Sequence, residues 1–182
     1  MRTIADHILD IAQNSVRAGA GLIEIIVCEN NSSDIYRIEV IDNGKGMDAE
    51  TLSKINNPFF TSRKTRRVGL GIPLLKQAVE QTGGYLRIFS GLEKGTLLMA
   101  DFVHSHIDRP IMGDVATLFV LLYTGHPGTE FSYRHRTQKG EFFVSTTGIK
   151  EALEVTDLRQ KPIRDVVYDL INNGLENISA NL

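Results

Sequence analysis

The stretch Asp10-Ile11-Ala12-Gln13-Asn14-Ser15-Val16-Arg17-Ala18-Gly19-Ala20 decides how the chain is read. Ile4, Ile8, Ile11, Ala12, Ser15 and Val16 recur at helical spacing, so they form one face of a helix. Asp6, Asp10 and Asn14 follow at steps of four and share the other face, and His7 belongs to the helix face as well. Gly19 and Gly21 end the helix. An amide oxygen on Asn14 suits magnesium, which prefers oxygen ligands, and a carboxylate one turn earlier can orient or deprotonate a water. Taken alone, a polar pair on a helix reads as a solvated face.

Outward from this helix, 22–29 and 35–41 are rich in Ile and Val and predict two strands around the turn Asn30-Asn31-Ser32-Ser33-Asp34. Asp42-Asn43-Gly44-Lys45-Gly46 follows the second strand. A carboxylate at a strand end can accept from the exocyclic amine of adenine, and glycines let backbone approach a flat base. The same residues also make an ordinary turn. Asp48 caps a short helix to about Asn56. Residues 57–71 are basic, carry hydroxyls and end in Val68-Gly69-Leu70-Gly71, which predicts a mobile loop entering a helix from about 72 to 81. Exposed amides at a helix N-terminus favour anions, and Lys64, Arg66 and Arg67 add cations suited to phosphate. Strands are expected over 85–90 and 96–103, with Thr96 able to bind the adenine-side carboxylate or a water beside it.

Beyond His104 the character changes. A connector, a helix over 114–123, a hairpin over 129–136 and 141–146 and an amphipathic helix opened by Pro162 are predicted. The division is a first domain over 1–104 and a small α/β module over 105–182, packed on the first because so short a stretch is hard to stabilise alone. Whole-chain charge is −2, which does not point to nucleic acid. Cys28 is the only cysteine, in an apolar run that suggests a buried thiol. No apolar run approaches a membrane span, and the start lacks a signal-peptide core, so the expected compartment is the cytoplasm. His104-x-His106-x-Asp108 does not specify a metal, and His126 and His135 show no partner along the sequence.

Order and spacing of these segments resemble the superfamily of gyrase, heat-shock chaperone, histidine-kinase and MutL ATPases. Residues 10–20 resemble its N box in the MutL-like form, and 42–47 its first glycine box. Pro58-Phe59-Phe60-Thr61-Ser62-Arg63 resembles the F box of histidine kinases, 68–84 the second glycine box with its helix, and Gly95-Thr96 the third. The resemblance implies an α+β fold, a two-layer α/β sandwich of Bergerat type, holding ATP and Mg²⁺ under a lid over about 60–68. It implies Asp10 as the catalytic acid or base and Asn14 as the metal ligand. Nucleotide contacts are implied for Asn14, Asp42, Gly44, Gly46, Met47, Thr61, Ser62, Arg63, Lys64, Gly69, Leu70, Gly71 and Thr96. Many hydrolysing relatives carry Glu where this chain has Asp10. The phosphoacceptor hairpin that usually precedes the domain is not expected, since only Met1 to Thr3 stand before the first helix. Three activities follow: a slow ATPase operating a regulatory or assembly protein, with a protein partner met through 105–182; a protein kinase acting in trans; or a non-catalytic nucleotide-binding module.

Overall fold

The computed structural model describes residues 3–55 and 71–182. Chain order is α1 (Ile4–Arg17), β1 (Leu22–Asn30), β2 (Ile35–Asp42), α2 (Ala49–Lys54), α3 (Gly71–Gln81), β3 (Tyr85–Ser90), β4 (Thr96–Val103), α4 (Val115–Gly125), β5 (Glu130–Thr137), β6 (Gly140–Ser145), α5 (Thr146–Leu153) and α6 (Lys161–Asn177). The first helix starts at a reciprocal cap. The Asp6 amide donates to Thr3 Oγ1 at 3.2 Å, and the Thr3 amide donates to Asp6 Oδ2 at 3.1 Å. The next two orphan amides of α1 are met from far along the chain: Ile4 donates to the Ile111 carbonyl at 2.9 Å and Ala5 to that of Met112 at 2.8 Å.

The strands form one sheet in the order β3-β4-β2-β1-β5-β6. Every pairing is antiparallel except β1 with β5, which runs parallel with Ile23, Ile25 and Val27 opposite Phe131, Tyr133 and His135. Residues 105–182 therefore continue the sheet as well as adding helices to it. The small α/β extension at the C-terminus shares a backbone ladder with the first strand.

Burial alternates strictly along β1 and β2, so each strand turns one face to the core. Ile23, Ile25, Val27, Tyr36, Ile38, Val40, Leu98, Ala100 and Phe102 pack with Ile4, Ile8, Ile11, Leu75 and Val79 of α1 and α3. Phe119, Leu122, Val167, Ile171 and Leu175 extend the same core beneath α4 and α6. Each fully buried side chain of this kind stabilises the fold by roughly 1.5–3 kcal/mol. The sandwich is thus α+β, with the core helices on one face of the sheet. Cys28 lies in the alternate register of β1 and is only partly buried, which corrects the expectation of a buried thiol. Its neighbours Val27 and Glu29 take the inward positions.

Candidate functional site

Asp42 is the last residue of β2 and faces inward, 9% exposed. Ser15 Oγ on α1 donates to Asp42 Oδ2 at 2.6 Å, and the Gly44 amide donates to Oδ1 at 2.9 Å. A carboxylate has about four lone-pair sites. Two are committed to these donors, so the group is held in orientation and retains acceptor capacity. Sequence reasoning placed Asp42 here but did not see Ser15 as its partner. The signal was available in principle: Ser15 is the one hydroxyl on the apolar face of α1, and a buried hydroxyl needs an acceptor.

The turn after Asp42 is tied down on both sides. Asn43 Oδ1 accepts from the amides of Gly21 and Leu22 at 2.8 and 2.9 Å. The Lys45 amide donates to the Ala18 carbonyl, and the Glu93 amide donates to the Lys45 carbonyl. Gly46 has φ of +64°, and a Cβ there would lie 1.9 Å from the Gly91 carbonyl oxygen. Only glycine accepts both the conformation and the contact.

The Met47 amide donates to Ser90 Oγ at 2.9 Å, and Ser90 donates to the Gly95 carbonyl at 2.9 Å. The 3.0 Å contact between Ser90 and Thr96 hydroxyls is then a bond donated by Thr96, because Ser90 has spent its hydrogen. Thr96 lies opposite Asp42 in the β2–β4 register. Its hydroxyl binds Ser90; the carboxylate takes its protein donors from Ser15 and Gly44.

On α1, Asp10 and Asn14 stand one turn apart and partly buried. Gly71, the first residue of α3, packs directly on Asp10: a Cβ at Gly71 would fall 1.7 Å from Asp10 Oδ2. The helix N-terminus and the carboxylate thus meet at a place where any side chain would clash. Asn14 Oδ1 accepts from the Arg17 guanidinium. The fold therefore brings Asp10, Asn14, Asp42, Gly44, Gly46, Met47, Gly71 and Thr96 onto α1, the β2 turn, the start of α3 and the start of β4. Thr61, Ser62, Arg63, Lys64, Gly69 and Leu70, with the lid, lie outside the described residues.

His7, three residues before Asp10, is buried, and among the described residues its Nδ1 has no hydrogen-bond partner. Burial pushes its imidazole below the ordinary histidine range, while Asp6 and Asp10 pull the other way. A separate cleft of about 410 Å³ touches Asp42, Ser90 and Thr96 but is also lined by Ile41, Phe89 and Leu97. By strand alternation these three project from the opposite face of the sheet. That cleft opens across the strand ends and is not the space between Asp42, Asp10 and Asn14.

Residues 2–106 match the family described as histidine kinase-, DNA gyrase B- and HSP90-like ATPase. The chain belongs to this family. Among curated relatives of the family domain, the sensor histidine kinase ZraS of Klebsiella oxytoca is 37% identical over 92 residues, which is 50% of this chain and 20% of that protein. A putative sensor protein of Shewanella frigidimarina is 31% identical over 103 residues, 56% of this chain and 16% of that protein. The chain thus spans only a small part of the length of these relatives. In fold, it is similar to the Aquifex aeolicus MutL ATPase domain complexed with ADP, with a TM-score of 0.57, 13% identity, and coverage of 85% of this chain and 70% of that one. The N-terminal domain of a DNA repair protein gives a TM-score of 0.56 at 17% identity, covering 80% and 53%. Both coverages exceed the stretch matched by the family, so the shared fold reaches past residue 106. No described helix is long and apolar enough to cross a membrane.

Proposed function

We propose that this chain binds ATP with Mg²⁺ and works as a nucleotide-operated regulatory or assembly protein with slow ATPase activity. The observation that carries the reading is Asp42, a buried carboxylate fixed by Ser15 and Gly44 with acceptor capacity left over. It would accept the exocyclic amine of adenine, with the Gly44–Met47 backbone against the base. The α3 N-terminus at Gly71 and the cations of 63–67 would meet the phosphates.

Asn14 would offer its amide oxygen to a hard cation, an oxygen that here accepts from the Arg17 guanidinium. A magnesium ion there would neutralise phosphate charge, with Arg17 giving up that oxygen. Asp10 would orient the attacking water. Aspartate reaches one methylene less far than glutamate, and misplacement by an ångström costs on the order of 100-fold in rate, which is why turnover is slow. Residues 105–182 would meet the protein partner, and the working compartment would be the cytoplasm.

A second reading, a protein kinase acting in trans, is favoured by the sensor-kinase relatives over the same residues. In that case the nucleophile comes with the partner, and a short carboxylate is tolerated. The test is calorimetric titration with ATP, with and without Mg²⁺, followed by incubation with γ-labelled ATP for wild type, Asp10→Glu and Asp10→Ala. Slow phosphate release that rises in Asp10→Glu and vanishes in Asp10→Ala supports the ATPase. Label on a partner supports the kinase. Binding without release or transfer leaves a nucleotide-binding module, and absence of ATP binding refutes the whole reading.

A further inference from the structure

β6 ends the sheet, and among the described residues no strand pairs with its outer side. It folds back on β5 through the short loop Gln138-Lys139. Residues that flank such a loop exchange hydrogen bonds, and bonded positions then alternate. Gly140, Phe142 and Val144 therefore turn their backbone groups to β5, while Glu141, Phe143 and Ser145 turn theirs to the open edge. Native edges are blunted by lysine, proline or a covering element. β6 reads Gly-Glu-Phe-Phe-Val-Ser and has neither lysine nor proline. Its one charge, Glu141, is taken by Arg134 and Arg136 of β5.

Helix α6 runs beside this edge. A Cβ on Gly174 would fall 2.2 Å from the Phe142 ring, and one on Gly140 would lie 3.5 Å from Ile178. Gly174 to Ile178 on the helix and Phe142 to Gly140 on the strand each cover about 6 Å, so α6 lies against β6 in the opposite direction. Val167, Ile171 and Leu175 bury the core side of the helix. Leu170 and Val166 stand one and two turns before Gly174, rotated away from that core side and past the strand edge, 48% and 51% exposed. Farther round the same side come Asp165, Asp169 and Glu176, all exposed and without a hydrogen bond or ion pair among the described residues. The helix thus holds an apolar ledge with an acidic rim over positions that no described strand fills.

We infer that β6 accepts an extended segment of a partner protein as a seventh strand, with apolar residues at alternate positions and lysine or arginine beside them. The backbone of that segment would pair with Glu141, Phe143 and Ser145. Its apolar side chains would cover Leu170 and Val166, and its cations would meet Asp165 and Asp169. A helix docked on the ledge would leave the edge amides unpaired. Charge selects the occupant: a second copy would bring acidic rim against acidic rim, and an anionic lipid surface would be repelled. The inference rests on the reading that residues 105–182 meet a protein partner.

The test titrates the whole chain into the fluorophore-labelled synthetic peptide Lys-Thr-Val-Thr-Val-Thr-Lys. Saturable binding is expected, with slowed amide exchange at Glu141, Phe143 and Ser145. Phe143→Pro removes an outward amide and spares the β5 ladder, so the fold is kept while peptide binding falls roughly tenfold or more. Leu170→Gln, at an exposed site, should weaken binding roughly fivefold. Asp165→Asn with Asp169→Asn should weaken it roughly threefold and flatten its salt dependence. ATP titrations run alongside keep the readings apart, since all these variants should bind ATP as the wild type does. A chain that binds ATP but gives no saturable peptide binding overturns the strand site alone. Binding without protection of the three amides also overturns it, because the peptide then sits elsewhere. So does a concentration-dependent dimer that protects the same amides, which would put a second copy at the edge.

Discussion

Asp42 and Glu29 occupy opposite ends of the same antiparallel strand pair, on the same face of the sheet, and are almost equally buried at 9% and 8% exposure. Their surroundings differ in kind. Glu29 Oε1 accepts from His135 Nε2 at 2.8 Å and from the Asn181 amide at 2.7 Å, while Oε2 faces His104 Nε2 at 3.5 Å. His135 is fully buried and its other nitrogen meets the Tyr133 hydroxyl at 2.8 Å. With Glu29 ionised, His135 Nε2 carries the hydrogen and the tyrosine donates to Nδ1, so the chain of bonds closes. His104 stacks on Tyr36, and Arg109 lies over the same ring. Glu29 is thus enclosed by β5, the β4 exit and the C-terminal tail. Among the described residues, Asp42 is gripped by α1 and its own turn alone. Each carboxylate accepts two protein hydrogen bonds, so neither burial nor the donor count tells the two apart; the difference is that Glu29 is closed in by two histidines and the C-terminal tail.

The largest expected effect tests the enclosed end. Glu29→Ala leaves the buried His135 and the Asn181 amide without their acceptor. Breaking one side of such a buried cluster costs about 3–5 kcal/mol. Urea unfolding should show that loss for Glu29→Ala, against about 1 kcal/mol or less for Asp42→Asn. Equal losses at both positions would erase the distinction between the two ends.

Affinity should invert the order. Asp42→Asn puts a donor where the adenine amine needs an acceptor, which costs about 1–3 kcal/mol, or roughly 5- to 150-fold in ATP binding. The folded variant is to be titrated by calorimetry, with wild type alongside. Unchanged affinity would remove Asp42 from base recognition.

The same contrast explains what could be read along the chain. Strands 85–90 and 96–103 coincide with β3 and β4 to the residue, because alternation and flanking glycines are local signals. The Asp48 cap of α2 and the Pro162 start of α6 are equally local. Helix α5 escaped notice: Thr-Thr-Gly-Ile-Lys-Glu-Ala-Leu contains a glycine and buries only Thr146 and Ile149, too little for a periodic stripe. The parallel pairing of β1 with β5 and the Glu29–His135 bond join residues about a hundred positions apart, and no local pattern encodes them. His135 therefore showed no partner in the sequence. The motif residues of the nucleotide end were legible by resemblance, but Ser15 and Ser90, which hold that end together, were not.

Acid should separate the two ends by pH. His7 sits on the helix that carries Asp10 and Asn14, and burial holds its folded-state pKa below the ordinary value of 6.5. The unfolded chain therefore takes up the proton first, and stability falls as pH drops through 6.5. Glu29 behaves otherwise. Burial raises its pKa, but the His135 and Asn181 bonds outweigh that and leave it below 4.5. Its contribution is complete above 4.5 and is lost as pH falls through the lower folded value. His7→Leu should flatten the stability profile between about pH 7 and pH 5 without altering the steeper loss in stronger acid. Denaturant midpoints across that range provide the check, and a slope retained in His7→Leu would assign the acid sensitivity to another group.

The smallest effect is the most discriminating. Ser15 donates to Asp42 at 2.6 Å and so fixes which carboxylate edge is offered to a ligand. One hydrogen bond is worth a net of about 1 kcal/mol, so Ser15→Ala should weaken ATP binding roughly fivefold. A loss of that size could equally follow from a small repacking of α1 against the sheet, where Ser15 is buried beside Ile11 and Ala12. The two causes part when the ligand changes. Purine riboside triphosphate lacks the exocyclic amine, so it gains nothing from an oriented Asp42 carboxylate. If Ser15 acts through Asp42, the fivefold penalty appears with ATP and disappears with the analogue. If the effect is repacking, both nucleotides weaken together, and Ser15 is then a core residue that happens to touch the site. Combining Ser15→Ala with Asp42→Asn closes the argument. Residues working as one unit give a double variant no weaker than Asp42→Asn alone, while independent residues give losses that multiply.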